Sequence, residues 1–332
     1  MKNQGLSEQL RLSEDLTAFR FNYARISPAK PPQMRHNSST IMRTIIPLIN
    51  LGVLAVRGAD ARHFLQGQLS QDVLKLKTGE AALASLNNPQ GRTLAIMWLV
   101  LMTDEIILVV LPRSGINDML TNLKHLIFRT KVQLTDESFL WNIEGSYATS
   151  TPKEGLTWAN SPAGRFLQIT PLSNRRELEP ATATEEYHWH CTDIADGLPK
   201  INTATRALFV AQMLNLDLIG GISFTKGCYT GQEVIARAHY RGQVKRRMQR
   251  LRTFAPELPI HIGDAGTLRD GRTFKVVDAV QLSDGRIDLL AVTTFAEATS
   301  LISALPITED VIECSKRTIN CENLPLPYAL PL

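Results

Sequence analysis

The sequence predicts an α+β fold with an all-β C-terminal part. Two observations carry that expectation. Between residues 45 and 243, short amphipathic helices are mixed with hairpins, without strict strand–helix–strand alternation. After Val244 the helical pattern stops, and strands are punctuated by the Asp-Gly turns Arg269-Asp270-Gly271-Arg272 and Ser283-Asp284-Gly285-Arg286. The chain has 332 residues, 44% apolar and 20% charged, enough for two or three domains and unlike a disordered or fibrous chain.

The elements follow in order. Residues 1–43 read as a disordered extension, proline-rich at Pro28–Pro32, with Met34 and Met42 as alternative starts. Val53–Val56 reads as a strand. Asp60 reads as the N-cap of a helix carrying Phe64, Leu65, Leu69 and Val73 at helical spacing. Thr93–Leu111 is a hairpin, because Leu94–Met102 and Ile106–Leu111 are apolar runs joined by Thr103-Asp104-Glu105. Neither run approaches the about 18 apolar residues of a membrane helix, so no membrane association is expected. Ser114 caps a helix to Arg129 whose apolar stripe is Ile116, Met119, Leu120, Leu123, Leu126 and Ile127. Strands follow at Val132–Leu134, Phe139–Ile143 and Arg165–Ile169. A helix over Glu185–Ala195 stops at Gly197-Leu198-Pro199. Val244–Phe254, Thr273–Val280 and Asp288–Thr294 are the strands of the C-terminal part.

Four cysteines (Cys191, Cys228, Cys314, Cys321) in so long a chain fit a reducing, cytoplasmic setting better than a disulfide scaffold. They form no CxxC pair. His188 and His190 flank Trp189 beside Cys191, but residues two apart on a helix diverge, so a shared metal is not expected. Cys314 and Cys321 read as structural. Charge is concentrated. Seven Lys/Arg and no acid lie between Arg237 and Arg252, and without them the net charge of +4 would be −3. Within Lys245–Arg252 no aromatic residue is interleaved, so no stacking platform for a nucleic-acid strand is legible there.

The chemistry concentrates in Lys226-Gly-Cys228-Tyr229-Thr230-Gly231-Gln232-Glu233. Thr230 and Glu233 read as a capping box that opens a helix to about Tyr240, stopped at Gly242. Cys228 then stands just before a helix N-terminus and two residues after Lys226. Both features favour a thiolate, and the alternative is a buried, inert cysteine. Trp189 reads either as a ring for stacking a flat ligand or as a core tryptophan. Arg237 and Arg241, four apart on one helical face, read either as a carboxylate clamp or as a solvated, salt-bridging face.

This motif, continued by Ala236-Arg237, resembles the signature of the YgfZ family of folate-binding proteins, relatives of the glycine-cleavage T-protein (aminomethyltransferase). Further resemblance lies in Gly58-Ala59-Asp60 with Phe64-Leu65-Gln66-Gly67-Gln68-Leu69 and Asp72, in Asn87 through Gly91-Arg92, in Trp189 through Pro199, and in Leu324-Pro325-Leu326-Pro327-Tyr328. It covers roughly residues 45–330. The resemblance implies three subdomains around a central channel. Two are mixed α/β, ferredoxin-like, within a folate-binding region 44–243 divided at about 135/136, and the third is a C-terminal β-barrel, 244–332. It implies tetrahydrofolate or a derivative as ligand, and a transient iron–sulfur cluster with Cys228 as ligand. Its implied partners are iron–sulfur assembly proteins and client radical enzymes, including those that methylthiolate tRNA.

In that reading Cys228 is the functional thiol and Lys226 its tuning group. The folate is held by Trp189, Arg237 and Arg241, with Tyr229, Gln232, Asp196 and Leu51 at the same site. Three departures accompany the resemblance. The T-protein's aspartates after the Gly-Arg turn are Ala95 and Ile96 here, and its Asp after Lys-Gly is Cys228, which argues against a folate-dependent aminomethyl transferase. Family members usually read Glu-x-Gly where this chain reads Ala195-Asp196-Gly197, a carboxylate rotated by about 100° on a helix. Leu51 stands where relatives carry an aromatic. A third reading, direct tRNA binding, would depend on Arg246, Arg247 and Arg250.

Overall fold

The computed structural model describes residues 45–147, 156–159, 165–172, 180–242, 244–253, 259–295 and 318–331. The expected disorder of residues 1–43 and the reading of Cys314 fall outside them. The described chain is α+β, built on three sheets. The first has strand order β3-β4-β5-β2-β6, with β2 at Leu51–Arg57, β3 at Ala81–Asn87, β4 at Thr93–Thr103, β5 at Ile106–Pro112 and β6 at Gln133–Asp136. The second has order β1-β7-β9-β8, with β1 at Ile45–Pro47, β7 at Trp141–Ser146, β8 at Leu156–Ala159 and β9 at Phe166–Pro171. Neighbouring strands within both sheets are antiparallel.

The first sheet is covered on both faces, which is why its strands are near-continuous apolar runs. In β2, Leu54 and Val56 enter one core with helices α1 (Ala61–Gln66) and α2 (Ile116–Lys124). Val53 and Ala55 enter a second core against the second sheet. Strand β5 divides likewise, with Val109 in the first core and Val110 in the second. Register follows, as Val110 pairs with both Val53 and Trp98.

Both early helices are shorter than expected. Helix α1 closes at Gly67, and Leu69 instead bridges Leu86. The Asp60 side chain makes no cap; its Oδ2 accepts from the Lys131 backbone N–H at 2.7 Å. Helix α2 starts after a 3₁₀ turn at Arg113–Gly115 with no Ser114 cap, and Leu126, beyond its end, is exposed.

Helix α3 (Ala183–Ala195) is the shared element. Trp189 packs in the core of the first two sheets, and Ile194 packs in the core under the third. Its start is a full capping box between Thr182 and Glu185, a T-x-x-E signal present in the sequence and missed. Its end is locked by the C-terminal tail. The Tyr328 hydroxyl donates to Gly197 O at 2.9 Å, and a Cβ at Gly197 would strike Leu326 and Tyr328.

The third sheet, order β14-β11-β12-β13-β10-β15, spans β10 (Arg246–Thr253), β11 (Ala265–Leu268), β12 (Thr273–Gln281), β13 (Ile287–Thr294), β14 (Thr318–Ile319) and β15 (Cys321–Leu324). It is curled rather than flat. Its two outermost strands are separated by Asn320 alone, and one residue spans only a few ångströms. The expected barrel is therefore seen as a curled sheet whose ends the chain itself joins.

The basic run falls into this sheet with a different use from the one expected. Arg247 is buried and grips Asp217 with both terminal nitrogens, at 2.9 and 2.8 Å. Arg250 and Arg252 both pair with Asp288 on the adjacent β13. Arg250 and Arg252 join β10 to β13, Arg247 ties β10 to the turn at Asp217, and neutralising Arg247 or Arg250 would test folding rather than tRNA contact.

Gly145 on β7 tests the α3 packing. A Cβ there would sit 2.4 Å from the Trp189 ring. Gly145→Ala is expected to cost about 1–3 kcal/mol by overpacking, read as a lower urea midpoint at unchanged slope.

Candidate functional site

Two adjoining cavities, about 290 and 470 Å³, lie where the sheets and α3 meet. They share Leu48, Asn50, Pro112, Trp189 and Lys200. The first is walled by Leu51, Leu83, Ile96, Trp98 and Trp189, with Ser114 and Asp193 as polar points. The second reaches the third sheet at Asp278, through His190 and Tyr187. The structure thus brings Trp189 and Leu51 together, as expected. Ile96 lies in the same wall, so the aspartate-to-apolar departure faces the cavity itself.

Trp189 combines both sequence readings. It is 5% exposed, the Arg165 guanidinium lies over its ring at 4.4 Å, and Tyr147 meets it edge-on at 5.4 Å. It is a packed wall whose ring is already stacked by a cation, and not an open platform.

Asp196 lines neither cavity. Its Oδ2 accepts from Arg165 Nε at 2.6 Å, and it is buried. The cavity carboxylate is Asp193, one turn earlier on α3. Arg165 lies 2.8 Å from one of its oxygens, and Lys200 Nζ donates to the other at 2.5 Å. Burial works against the charge on Asp193, but Lys200 and Arg165 outweigh it and hold the carboxyl below its ordinary value. Sequence spacing pointed to the Asp nearest Gly197. Asp193 was legible only as a helical position facing Trp189, one turn away.

Arg237 and Arg241 stand elsewhere. Helix α4 (Gln232–Tyr240) buries only Ile235, and Arg237, 70% exposed, pairs with Glu233 at 2.8 Å. Neither arginine lines the two cavities. Lys200 is the lysine or arginine that does, and it is already paired.

The Lys226–Gln232 segment forms a second centre. Lys226 is buried, and its Nζ donates to the carbonyls of Gln66, Leu69 and Gln71, each at 2.7 Å. Each ammonium proton therefore has its own acceptor. Burial pushes this amine down to about 8, against the charge of Asp72. Lys226 thus clamps the turn after α1. Tyr229 is buried, its phenol pushed up to about 12 by burial, with Lys226 Nζ 4.9 Å from the ring centre. The Thr230 hydroxyl donates to Gln68 Oε1, and Gln232 Oε1 accepts from the Tyr229 backbone N–H.

The expected Thr230–Glu233 capping box is absent, because Gly231 holds the N-cap at φ +82° and Glu233 turns to Arg237. A Cβ at Gly231 would lie 2.5 Å from Asn88 O, so glycine lets this loop seat on the Asn87–Arg92 turn. In this anchored segment Cys228 is exposed. Among the described residues no three of His, Cys, Asp and Glu gather as a metal site. No helix among them is long and apolar enough to cross a membrane.

No family model matches the chain. It is 32% identical over 289 residues to the tRNA-modifying protein YgfZ of Enterobacter sp. (strain 638), covering 77% of this chain and 87% of that protein. The chain belongs to the YgfZ family. The same identity and coverage hold for the tRNA-modifying protein YgfZ of Escherichia coli O45:K1 (strain S88 / ExPEC). Among solved structures, the glycine cleavage system aminomethyltransferase T of Bartonella henselae superposes with a TM-score of 0.55 at 13% identity, over 75% of this chain and 77% of that one. That likeness is one of fold. Within this YgfZ-family chain, Lys226, Thr230 and Gln232 anchor the loop that exposes Cys228.

Two outcomes test the loop. Lys226→Met strands three carbonyls and is expected to cost about 3 kcal/mol or more in urea unfolding. In the folded wild type at pH 8, iodoacetamide is expected to label Cys228 ahead of Cys191 and Cys321. The latter two lag about tenfold or more, because burial raises both thiols, Cys321 to about 11. Peptide mapping of the alkylated cysteines reads the order.

Proposed function

We propose that the chain is a tetrahydrofolate-binding accessory protein for assembly or repair of iron–sulfur enzymes, including those that modify tRNA. The observation that carries this reading is the division of labour in the signature loop. Its polar side chains Lys226, Thr230 and Gln232 are spent on anchoring, while Cys228 is exposed to a partner. A transient cluster at Cys228 would draw its other ligands from that partner.

The cavity fits the ring portion of a folate. Ligand sites of about 300–1,000 Å³ are mostly apolar with a few polar points. Here Leu51, Ile96, Trp98 and Trp189 supply the wall, and Asn50, Ser114 and Asp193 supply hydrogen-bonding edges. Folate would bring one-carbon chemistry to the site. The protein's part is to exclude water from the rings, to orient them by the Asp193 carboxylate, and to leave the anionic tail toward solvent. With Ile96 in the wall, no carboxylate stands where aminomethyl transfer would need one, and a non-catalytic role is favoured over transfer.

The test is titration with 5-formyltetrahydrofolate followed by tryptophan fluorescence, since Trp98 and Trp189 line the cavity. Wild type is expected to bind in the micromolar range. Leu83→Trp fills the cavity and weakens binding about tenfold or more, whereas Cys228→Ser leaves it unchanged and abolishes support of a client iron–sulfur enzyme. No binding by wild type would overturn the folate assignment. Full client support by Cys228→Ser would overturn the role of the thiol.

A further inference from the structure

Beside the exposed thiol the structure assembles what the linear sequence concealed. Phe224, four residues before Cys228, stacks on His239 of α4 with ring centres 3.7 Å apart and planes 13° apart. Tyr240 meets both rings edge-on, at 6.3 and 4.7 Å, and is itself 66% exposed. These aromatics precede Lys245–Arg252, where none is interleaved.

The cations that adjoin them in sequence are not held by buried carboxylates as Arg247, Arg250 and Arg252 are. Arg237, Arg241, Lys245 and Arg246 are all exposed, although Arg246 opens β10 and donates to Thr273 Oγ1. Glu233 is the nearby acid that pairs with them, through an 83%-exposed contact to Arg237 that contributes little in water. Residues 233, 237 and 240 share one face of α4, and Arg241 caps its end. That helix buries Ile235 alone, so the face has no protein covering it among the described residues.

We propose that this face binds an unpaired stretch of nucleic acid, with Tyr240 and the Phe224–His239 stack receiving bases and Arg237, Arg241, Lys245 and Arg246 receiving phosphates. Cations alone would suit any polyanion. The exposed His239 and Tyr240 rings beside them, with the half-buried Phe224 backing His239, suit a strand whose bases are free to stack, at about 1–3 kcal/mol per base. The surface is separate from the cavities and does not rest on folate binding. It places the bound strand alongside the segment that exposes Cys228.

The test is fluorescence anisotropy of the full chain with a short fluorescein-labelled single-stranded RNA, the same strand in DNA, and the RNA annealed to its complement. The single strand is expected to bind about tenfold tighter than the duplex. With four phosphate contacts, log affinity falls against log salt with a slope of about −2 to −3. Tyr240→Ala weakens the single strand about fivefold or more and leaves the duplex unchanged, and Arg241→Glu weakens both. All altered side chains are exposed, and circular dichroism confirms that the variants fold. DNA bound as well as RNA supports readout of bases and phosphates, and weaker DNA binding adds a 2′-hydroxyl contact. Absence of binding, or equal strand and duplex affinities with Tyr240→Ala silent, overturns the proposal.

Discussion

The structure turns on one buried cation. Arg165 stacks on Trp189 and pairs with both Asp193 and Asp196, so the strand that follows it is fixed to α3 by charge as well as by packing. Helix α3 in turn packs into the cores of all three sheets, and its residues line both cavities. The cluster is balanced. Arg165 and Lys200 face Asp193 and Asp196, and all but Lys200 are nearly inaccessible. Such a group adds little net stability compared with apolar packing, but losing one member strands charge in the interior. Its value here is geometric, because a carboxylate is kept ionised at the cavity wall.

Much of the fold was legible because its signals are local. The hairpin Thr93–Leu111, the amphipathic segment after Ser114 and the Asp-Gly turns are all written in adjacent residues. Helix ends were read less well. Asp60, Ser114 and Thr230 each have the chemistry of a cap, yet Asp60 and Thr230 bond to residues remote in sequence, Lys131 and Gln68. Capping competes with every other donor and acceptor that folding brings near, and sequence spacing cannot rank those partners.

The site shows the same division. That Trp189 and Leu51 share one cavity wall was legible through the resemblance to the YgfZ family. The roles inside the Lys226–Gln232 loop were not. Lys226 two residues from a thiol invites an electrostatic reading, but a lysine's reach brought its ammonium to three carbonyls some 155–160 positions away. Arg237 and Arg241 were drawn toward the ligand by charge alone, while the fold turns their helix outward. Asp193 escaped notice because its neighbours, Arg165 and Lys200, converge only in three dimensions.

The curled third sheet has a consequence for the protein's life in a crowded solution. An open sheet ends in rows of unpaired amide groups, which invite strands from other molecules. Here the segment Thr318–Leu324 pairs with β11 through its first half and with β10 through its second, so one stretch of chain covers both ends. What it leaves outward is short, two and four residues on either side of a bend. The sheet carries its own guard against self-association, and the six residues that provide it are the last strands of the chain.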